Sequence, residues 1–296
     1  MNRVKYKVNI RVLKILYGKG REIIMEKWRR SERVAVITKY LLERPNTLLS
    51  LNVFTDLFQA AKSSISEDLS IIREVFQQFG YGRIETLAGA NGGVIYYPQV
   101  RKEEKVLFLE ELARKLADPA RILPGGYLYM TDIVFDAQIA QKVGEIFAEY
   151  FAPLEPQYVV TVETKGIPLA IMTARALNLP LVIIRDGGRV TEGSAVSVNY
   201  VTGSSRNIRT MSLARRALPL ESKVIIIDDF MKAGGTAKGM IELLKEFKAQ
   251  VLGIGVLIDT ELPEKKLVDS YYSLLQLNKV DEAARSVSLK PLIPKA

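Results

Sequence analysis

The residues with the clearest chemical potential are two adjacent carboxylates, Asp228 and Asp229, which follow the branched apolar run 224–227. A continuous apolar run of this kind is typical of a buried strand in a parallel sheet. A loop closing on Gly-Gly-Thr at 234–236 comes next, and a helical pattern covers 237–248. A glycine loop before a helix gathers backbone N–H groups and the positive helix end around one point. The segment therefore predicts a phosphate site.

The two carboxylates decide which phosphate ligand fits. Bare carboxylates repel a phosphate, whereas an ionised carboxylate accepts hydrogen bonds from hydroxyl groups. Their position beside the loop is explained if the ligand carries hydroxyls next to its phosphate, as a ribose 5-phosphate does. The alternative is an ordinary strand-turn-helix with surface acids.

The segment 224–236 resembles the ribose-phosphate motif of the type I phosphoribosyltransferases. The resemblance implies that Asp228 and Asp229 hold the ribose hydroxyls at carbons 2 and 3, and that the loop wraps the 5-phosphate. The loop residues are Ala233, Gly234, Gly235 and Thr236. Most enzymes of that family have Thr or Ser where this chain has Ala233, so one hydroxyl donor to the phosphate is missing.

A second loop follows the strand-like run 158–162 and has the sequence Glu163-Thr164-Lys165-Gly166. In the resembling family this loop holds the pyrophosphate of phosphoribosyl pyrophosphate (PRPP), often through a strained peptide. The resemblance therefore implies that Thr164, Lys165 and Gly166 face the ligand. Mg²⁺ is expected to arrive with the pyrophosphate, bound mostly by ligand oxygens and water. The alternative is a surface turn with one solvated lysine.

The second half of the chain alternates strands and helices. Strand-like runs lie at 158–162, 181–184, 224–227 and 251–258, and helical patterns lie at 137–150, 168–178 and 237–248. This alternation predicts an α/β fold with a parallel sheet, whose ligands lie at the carboxyl ends of the strands.

Residues 25–98 show a different pattern, three helices followed by a hairpin. The helices are predicted over 32–43, over 53–59 and from Ser64 onward, where Ser64-Ile65-Ser66-Glu67 reads as a capping box. The hairpin strands are predicted at Arg83–Leu87 and 94–97, on either side of an Asn-Gly-Gly loop. This is the order of a small winged helix-turn-helix domain.

In a winged helix-turn-helix the third helix enters the major groove with its first residues against the bases. The residues nearest the duplex would be Lys62, Ser63, Ser64 and Ser66. Candidates for phosphate contacts, which fix register without reading sequence, are Arg29, Arg30 and Arg33. The alternative is a small helical cap with a solvated basic edge.

Both halves together resemble the purine operon repressor family of low-GC Gram-positive bacteria. The segments that carry the resemblance are 29–31, 61–68, 88–94, 121–127, 164–168 and the phosphate motif. It implies a homodimer with a winged helix in front of a phosphoribosyltransferase-like domain. Such proteins bind an operator in double-stranded DNA and repress purine synthesis and salvage genes, and PRPP relieves the repression. No catalytic residues, metal ligands or transferase activity are expected, and no cofactor is required.

Two alternatives remain open from the residues. One is a working purine phosphoribosyltransferase whose first domain only assembles or regulates it. The other concerns the ligand, because a related pyrophosphate nucleotide such as guanosine tetraphosphate fits the same pocket.

A flexible polar stretch at 203–207 is a candidate to close over the ligand. Arg206 and Arg209 are then candidates to reach the pyrophosphate. Arg215 and Arg216 are candidates to widen the DNA-binding face. A solvated loop is the alternative.

Composition limits the other function classes. With 48% hydrophobic and 25% charged residues, a chain of 296 residues is globular and long enough for two domains. The absence of Cys and His excludes disulfides, the usual zinc sites and imidazole acid–base chemistry, and it fits a reducing cytoplasm. No apolar run approaches the roughly 20 residues of a membrane span.

The first residues stand apart in charge. Residues 1–24 carry seven basic residues against one acidic residue, Glu22, and lack the apolar core and cleavage site of a signal peptide. We expect Met25 to be the natural start, with 1–24 a non-native or disordered extension. The predicted domains are then the winged helix-turn-helix at 25–98 and, at 99–296, the phosphoribosyltransferase-like effector domain with a C-terminal tail. The alternative is a basic arm that grips nucleic acid.

Overall fold

The structure is a computed structural model that describes residues 28–89, 92–187, 193–201 and 208–292. The chain divides into two compact units. The first runs to Phe79 and takes in Arg83–Tyr97, and the second contains Gly80–Gly82 and the chain from Pro98 onward. Within the described ranges, no helix is long and apolar enough to cross a membrane. The predicted extension at 1–24 lies outside the described residues.

The first unit has the predicted order of three helices and a hairpin. Its elements are α1 (Arg30–Glu43), α2 (Leu51–Phe58), α3 (Lys62–Phe79), β1 (Arg83–Leu87) and β2 (Gly93–Tyr97). Gln59 adopts a left-handed conformation with φ 49° and ends α2, so a three-residue turn leads into α3. Leu49 and Val94 exchange two backbone hydrogen bonds of 2.8 and 2.9 Å, which add a short bridge to the hairpin. The unit is therefore a helix-turn-helix with a wing.

The third helix begins earlier than predicted. It starts at Lys62, and the N–H of Ile65 donates to the carbonyl of Ala61 at 3.2 Å. Ser64 thus lies inside the first turn and is not the N-cap, so the predicted capping box is wrong. The carboxylate that was expected to close the box, Glu67, pairs instead with Arg30 on α1.

A buried ion pair joins α1 to α3. Arg33 Nε donates to Asp68 Oδ2 at 2.7 Å, and Arg33 Nη2 donates to Asp68 Oδ1 at 3.0 Å. Arg33 is 8% exposed and Asp68 is fully buried. A third N–H of the same guanidinium, on Nη1, donates to the carbonyl of Trp28 at 3.0 Å. The hypothesis that Arg33 contacts DNA phosphates is therefore wrong, because its donors hold two helices together.

The second unit is an α/β structure. Its helices are α4 (Lys102–Leu116), α5 (Thr131–Val134), α6 (Ala137–Phe151), α7 (Gly166–Leu177) and α8 (Gly235–Lys245). Its strands are β3 (Ile122–Leu123), β4 (Tyr127–Leu128), β5 (Tyr158–Val162), β6 (Leu181–Asp186), β7 (Ala195–Val201), β8 (Ile208–Ala214), β9 (Lys223–Met231), β10 (Gln250–Thr260), β11 (Tyr272–Asp281) and β12 (Ser286–Pro291).

The main sheet has the order β12-β11-β10-β9-β5-β6-β8-β7. The five central strands, from β11 to β6, run parallel. Four of them, β5, β6, β9 and β10, are the strands that the sequence predicted, whereas β11 was not predicted. At the edges, β12 pairs antiparallel with β11, and β7 and β8 form an antiparallel pair beside β6. The short connections before β8 and β12 explain the reversal, because a parallel return needs a crossover of a dozen or more residues.

Strand β9 is covered on both faces of the sheet, which explains why its residues at 224–227 are apolar without alternation. Ile225 and Ile227 pack into the core beneath α6 and α7, whereas Val224 and Ile226 pack into the core beneath α8. All four are fully buried. The strand continues past the predicted end to Met231, because β10 still pairs with it at Asp228, Phe230 and Met231. The two carboxylates therefore lie within the strand and do not follow it.

The Arg33–Asp68 pair yields a stability prediction. Asp68→Ala leaves a buried guanidinium without its carboxylate, so the free energy of unfolding should fall by about 3–5 kcal/mol. Glu67→Ala is the control, since Glu67 pairs with Arg30 at the surface and should cost less than about 1 kcal/mol. Trp28, the single tryptophan, packs edge-on against Phe58 at 5.7 Å and reports the first unit in urea unfolding by fluorescence. Equal effects of both substitutions would contradict the assignment.

Candidate functional site

The candidate ligand site lies at the carboxyl ends of β5 and β9. These strands are parallel neighbours, with Val160 opposite Ile226, so both run toward the same edge of the sheet. The loop after β5 contains Thr164 and Lys165, and the loop after β9 leads through Ala233 into α8. The topology thus brings the two predicted binding loops to one edge, where ligands of such sheets bind.

Asp228 is the buried member of the carboxylate pair. It is 6% exposed, whereas Asp229 is half-buried, and Asp228 Oδ1 accepts the Asp229 backbone N–H at 2.9 Å. Burial, and after it the negative charge of Asp229, raises the pKa of Asp228 well above the ordinary aspartate value of 3.8. Donors on a ligand, or a cation, would favour the ionised form. Two adjacent sugar hydroxyls supply such donors.

The loop after β5 is held by its first side chain. Glu163 Oε2 accepts from Arg185 at 3.0 Å, and Glu163 Oε1 accepts the backbone N–H of Asp186 at 2.9 Å. The Glu163–Thr164 peptide bond is cis. Thr164 and Lys165 follow with exposed side chains. The two predicted ligand residues are therefore presented to solvent from a loop that β6 anchors.

Gly166 lies where the loop after β5 meets Asp228 on β9. A Cβ at this residue would lie 2.4 Å from Thr161 Oγ1 and 2.9 Å from Asp228 Oδ1. The absence of a side chain allows α7 to begin against the buried carboxylate. The resemblance explained Gly166 by a strained ligand-binding peptide, and the structure adds this close approach.

The phosphate loop ends in a helix N-terminus. Gly234 precedes the helix in a left-handed conformation with φ 82°, which favours glycine, and α8 starts at Gly235. Gly234 and Gly235 are buried, whereas Ala233 and Thr236 are half-buried. The first N–H groups of the helix have no intrahelical acceptor and carry the positive end of its dipole. This is the chemistry that an anion needs.

The candidate closing loop at 203–207 lies outside the described residues, and its neighbours on β8 are described. Arg206 and its neighbours at 202–207 lie outside the described residues. Arg209, at the start of β8, donates to Asp186 Oδ2 at 3.2 Å. Arg215 and Arg216 are exposed in the turn after β8.

Sequence reasoning missed the contacts that position the site. Arg185 holds the first loop through Glu163, and Lys266 donates to the Lys232 carbonyl at 2.7 Å behind the second. These residues are distant in sequence from the loops they hold, so no local pattern marks them. In the described ranges, no group of three or more His, Cys, Asp or Glu residues could hold a metal ion.

The candidate nucleic-acid interface lies in the first unit, at the start of α3. Lys62, Ser63 and Ser66 are exposed there, and Ser64 is half-buried. Arg30 reaches this turn from α1, where it pairs with Glu67. Arg29 is exposed at the N-cap of α1, and its backbone N–H donates to Glu32 at 2.8 Å.

Arg73 fixes the wing relative to α3. Its Nη2 donates to Thr86 Oγ1 at 2.5 Å and its Nε donates to the Ile84 carbonyl at 3.3 Å, both on β1. The hairpin that would lie beside a DNA duplex is therefore tied to the helix that would enter its groove. Sequence reasoning did not single out Arg73, because an arginine in a helix normally indicates a solvated face.

Two family comparisons cover most of the chain. Residues 29–98 match the family described as "Bacterial purine repressor, N-terminal", and residues 130–291 match the phosphoribosyl transferase domain. The purine biosynthesis transcriptional repressor PurR of Bacillus subtilis (strain 168) is 51% identical over 264 residues, which are 89% of this chain and 93% of that protein. The chain belongs to the bacterial purine repressor family. Both the family resemblance and the predicted fold class are thereby confirmed.

Other relatives show the range of the family and of its second domain. The purine biosynthesis transcriptional activator PurR of Lactococcus lactis subsp. lactis (strain IL1403) is 39% identical over 262 residues, 88% of this chain and 97% of that protein. A xanthine phosphoribosyltransferase of Streptococcus pneumoniae (serotype 4, strain TIGR4) is 31% identical over 173 residues, 54% of this chain and 90% of that protein.

The raised pKa of Asp228 predicts a pH-dependent stability. The folded protein binds a proton that the unfolded chain releases. The stability from this group is therefore fully present below about pH 3.8 and is lost as pH rises through the raised folded value. Asp228→Asn removes the titrating group, so it should raise the melting temperature at about pH 7.5 but not at about pH 3.5.

Calorimetric unfolding at both pH values measures this. Asp269→Asn, at an exposed aspartate of the same unit, is the control. A lower melting temperature for Asp228→Asn at the higher pH would show that burial does not disfavour the charged form.

Proposed function

We propose that this protein is a transcriptional repressor of purine synthesis and salvage genes. Its first unit binds an operator in double-stranded DNA, and PRPP binding to its second unit relieves that binding. One observation carries the proposal: a single chain joins a winged helix-turn-helix to an α/β unit in which Gly166 lies against the buried acid of an Asp-Asp pair. The pair is followed by a phosphate-type loop.

The regulatory role is supported by the relatives. Proteins named as purine biosynthesis regulators align over nearly the whole chain, so both units have counterparts in them. Repression is the proposed direction because the Bacillus repressor is 51% identical and the Lactococcus activator 39%. A homodimer acting in the cytoplasm is part of the same proposal.

The ligand role follows from the site chemistry. Asp228 and Asp229 would accept hydrogen bonds from the ribose hydroxyls, and the loop Ala233–Thr236 would surround the 5-phosphate with N–H groups. Thr164, Lys165 and Gly166 would meet the pyrophosphate. Because both carboxylates are assigned to the ribose hydroxyls, an accompanying Mg²⁺ would be held mostly by ligand oxygens and water.

Sensing requires that PRPP bind one conformation better than another. An effector shifts the equilibrium only by its differential affinity for the DNA-binding and the released states. If PRPP bound both states equally tightly, the operator would stay occupied.

A second candidate function is purine phosphoribosyl transfer. It is favoured by the relative that is named a xanthine phosphoribosyltransferase, and such catalysis needs orientation and charge stabilisation but no histidine. Against it stand the winged helix and Ala233, which lacks the hydroxyl that most enzymes of the resembling family carry there. We propose that the transferase activity is absent.

The interface yields a prediction about DNA. Arg30→Ala should weaken binding to operator and random duplexes by the same factor and reduce the salt dependence by about one unit of slope. Lys62→Ala should cost about 1–3 kcal/mol more on the operator than on random DNA. The control is Lys39→Ala, since Lys39 is an exposed lysine on α1 that pairs with Glu43. Fluorescence anisotropy at several salt concentrations measures all three. Identical values for all three variants and the unaltered protein would move the interface away from α3.

The ligand site yields a second prediction. Replacing Asp228 and Asp229 together by Ala removes both hydroxyl acceptors while the first unit stays unaltered. The variant should bind operator normally and no longer respond to PRPP, which makes it a permanent repressor. Gel shifts on purine-gene promoters, titrated with PRPP and separately with guanosine tetraphosphate, measure the response.

An activity assay on the same protein distinguishes catalysis from sensing. The unaltered protein should transfer no ribose phosphate from PRPP to adenine, guanine, hypoxanthine or xanthine. Turnover of any of these bases that the double substitution abolishes would favour the enzyme. Release of the operator by guanosine tetraphosphate but not by PRPP would keep the regulator and replace its effector.

A further inference from the structure

Behind the phosphate loop runs a strap, defined here as residues 261–268 between β10 and β11. Lys266 Nζ donates to the carbonyl oxygens of Lys232 at 2.7 Å and Thr260 at 2.5 Å. The backbone N–H of Leu267 donates to the carbonyl of Ala233 at 2.9 Å. Two consecutive carbonyl groups of the phosphate loop are therefore bound by the strap.

Binding these carbonyls also sets the direction of the N–H groups. A trans peptide is planar, and its C=O and N–H point to opposite sides. When the carbonyls of Lys232 and Ala233 face the strap, the N–H groups of Ala233 and Gly234 face the other side of the loop. The carbonyl of Gly234 already accepts the helical N–H of Lys238 at 2.9 Å. Three successive peptide groups are thus oriented before any ligand arrives, and successive N–H groups in a turn form an anion-binding concavity.

The Lys266 ammonium has three donors, and the structure shows three acceptors for them within the protein. The third is Thr260 Oγ1, at 3.2 Å. Burial lowers the pKa of Lys266, and the negative charge of Asp259, itself buried, opposes that shift. Lys266 is half-buried, whereas Lys265 beside it is exposed.

We propose that Lys266 is a positioning residue for the phosphate loop: it holds the loop carbonyls so that the loop amides face the anion. The role rests on the proposed function for the identity of the effector, and it concerns any ligand with a 5-phosphate. In this role Lys266 does not contact the ligand directly, because its N–H donors are engaged by Lys232 and Thr260.

The test compares Lys266→Met with Lys265→Met, which removes the same charge from the exposed neighbour. Calorimetry of the full chain with ribose 5-phosphate, and separately with Mg²⁺ and PRPP, should show about tenfold weaker binding of both ligands to the Lys266 variant only. Operator affinity in the absence of ligand should equal that of the unaltered protein for both variants.

A second variant covers the case in which Lys266→Met does not fold. Thr260→Val removes one hydroxyl that contacts both Lys266 and the Lys232 carbonyl, at 3.2 and 3.1 Å. It should weaken ribose 5-phosphate binding in the same direction by a smaller factor. Unchanged affinity in both variants would overturn the role.

Two other results would also overturn the inference. Weaker binding of PRPP with unchanged binding of ribose 5-phosphate would mean that Lys266 contacts the pyrophosphate. Equal losses in the Lys265 and Lys266 variants would indicate a general charge effect. Loss of operator binding by Lys266→Met would indicate a damaged fold, and the Thr260→Val result then decides the role. Failure of the proposed function is distinct: the unaltered protein would then bind ribose 5-phosphate, lose affinity on Lys266→Met, and still not release the operator with PRPP.

Discussion

The burial of Asp228 is the constraint around which the second unit is arranged. A carboxylate with almost no access to water and a second carboxylate beside it is electrostatically unfavourable in the ionised form. The start of helix α7 packs directly against this acid, because Gly166 has no side chain at the point of contact. Its ionised form is favoured when a ligand supplies hydrogen-bond donors or a cation, as the proposed hydroxylated phosphate with its Mg²⁺ would. Under the proposed function, stability and ligand response depend on the same carboxyl group, as is common where a site carries an unfavourable charge.

Both candidate sites rely on groups whose partners already hold them in place. On the DNA side, Asp68 holds Arg33 between two helices, and Arg73 ties the wing to α3. On the ligand side, Glu163 is held from β6, and the phosphate loop is held from the strap by Lys266. Preorganisation of this kind lowers the ordering cost of binding, and so it serves a regulator as well as an enzyme. A regulator additionally needs two states that differ in ligand affinity, and the absence of a hydroxyl at Ala233 does not remove that possibility.

Sequence reasoning placed four of the five central strands correctly, because each is marked by a local pattern. The apolar run at 224–227, the run at 158–162 and the hairpin around the Asn-Gly-Gly loop all appear where they were predicted. The errors have a common origin. The third helix starts at Lys62 instead of Ser64, and β9 extends past Asp228, because packing and strand pairing extended these elements beyond their propensity signals. The antiparallel edges of the sheet were likewise set by pairing partners.

The sequence by itself determined the chemistry of this protein: which residues carry charge, which loop offers amides, and which helix presents Lys62 and the serines. Those properties depend on residue type and on neighbours within one or two turns of chain. Only the tertiary structure decided which charged groups face solvent. Arg33 and Arg30 are three residues apart on one helix, yet one is buried with Asp68 and the other remains at the surface. The same holds for Lys266 and Lys265. The reason is that Arg33 and Lys266 are buried where a distant segment supplies their partners, and those partners come from packing the whole chain.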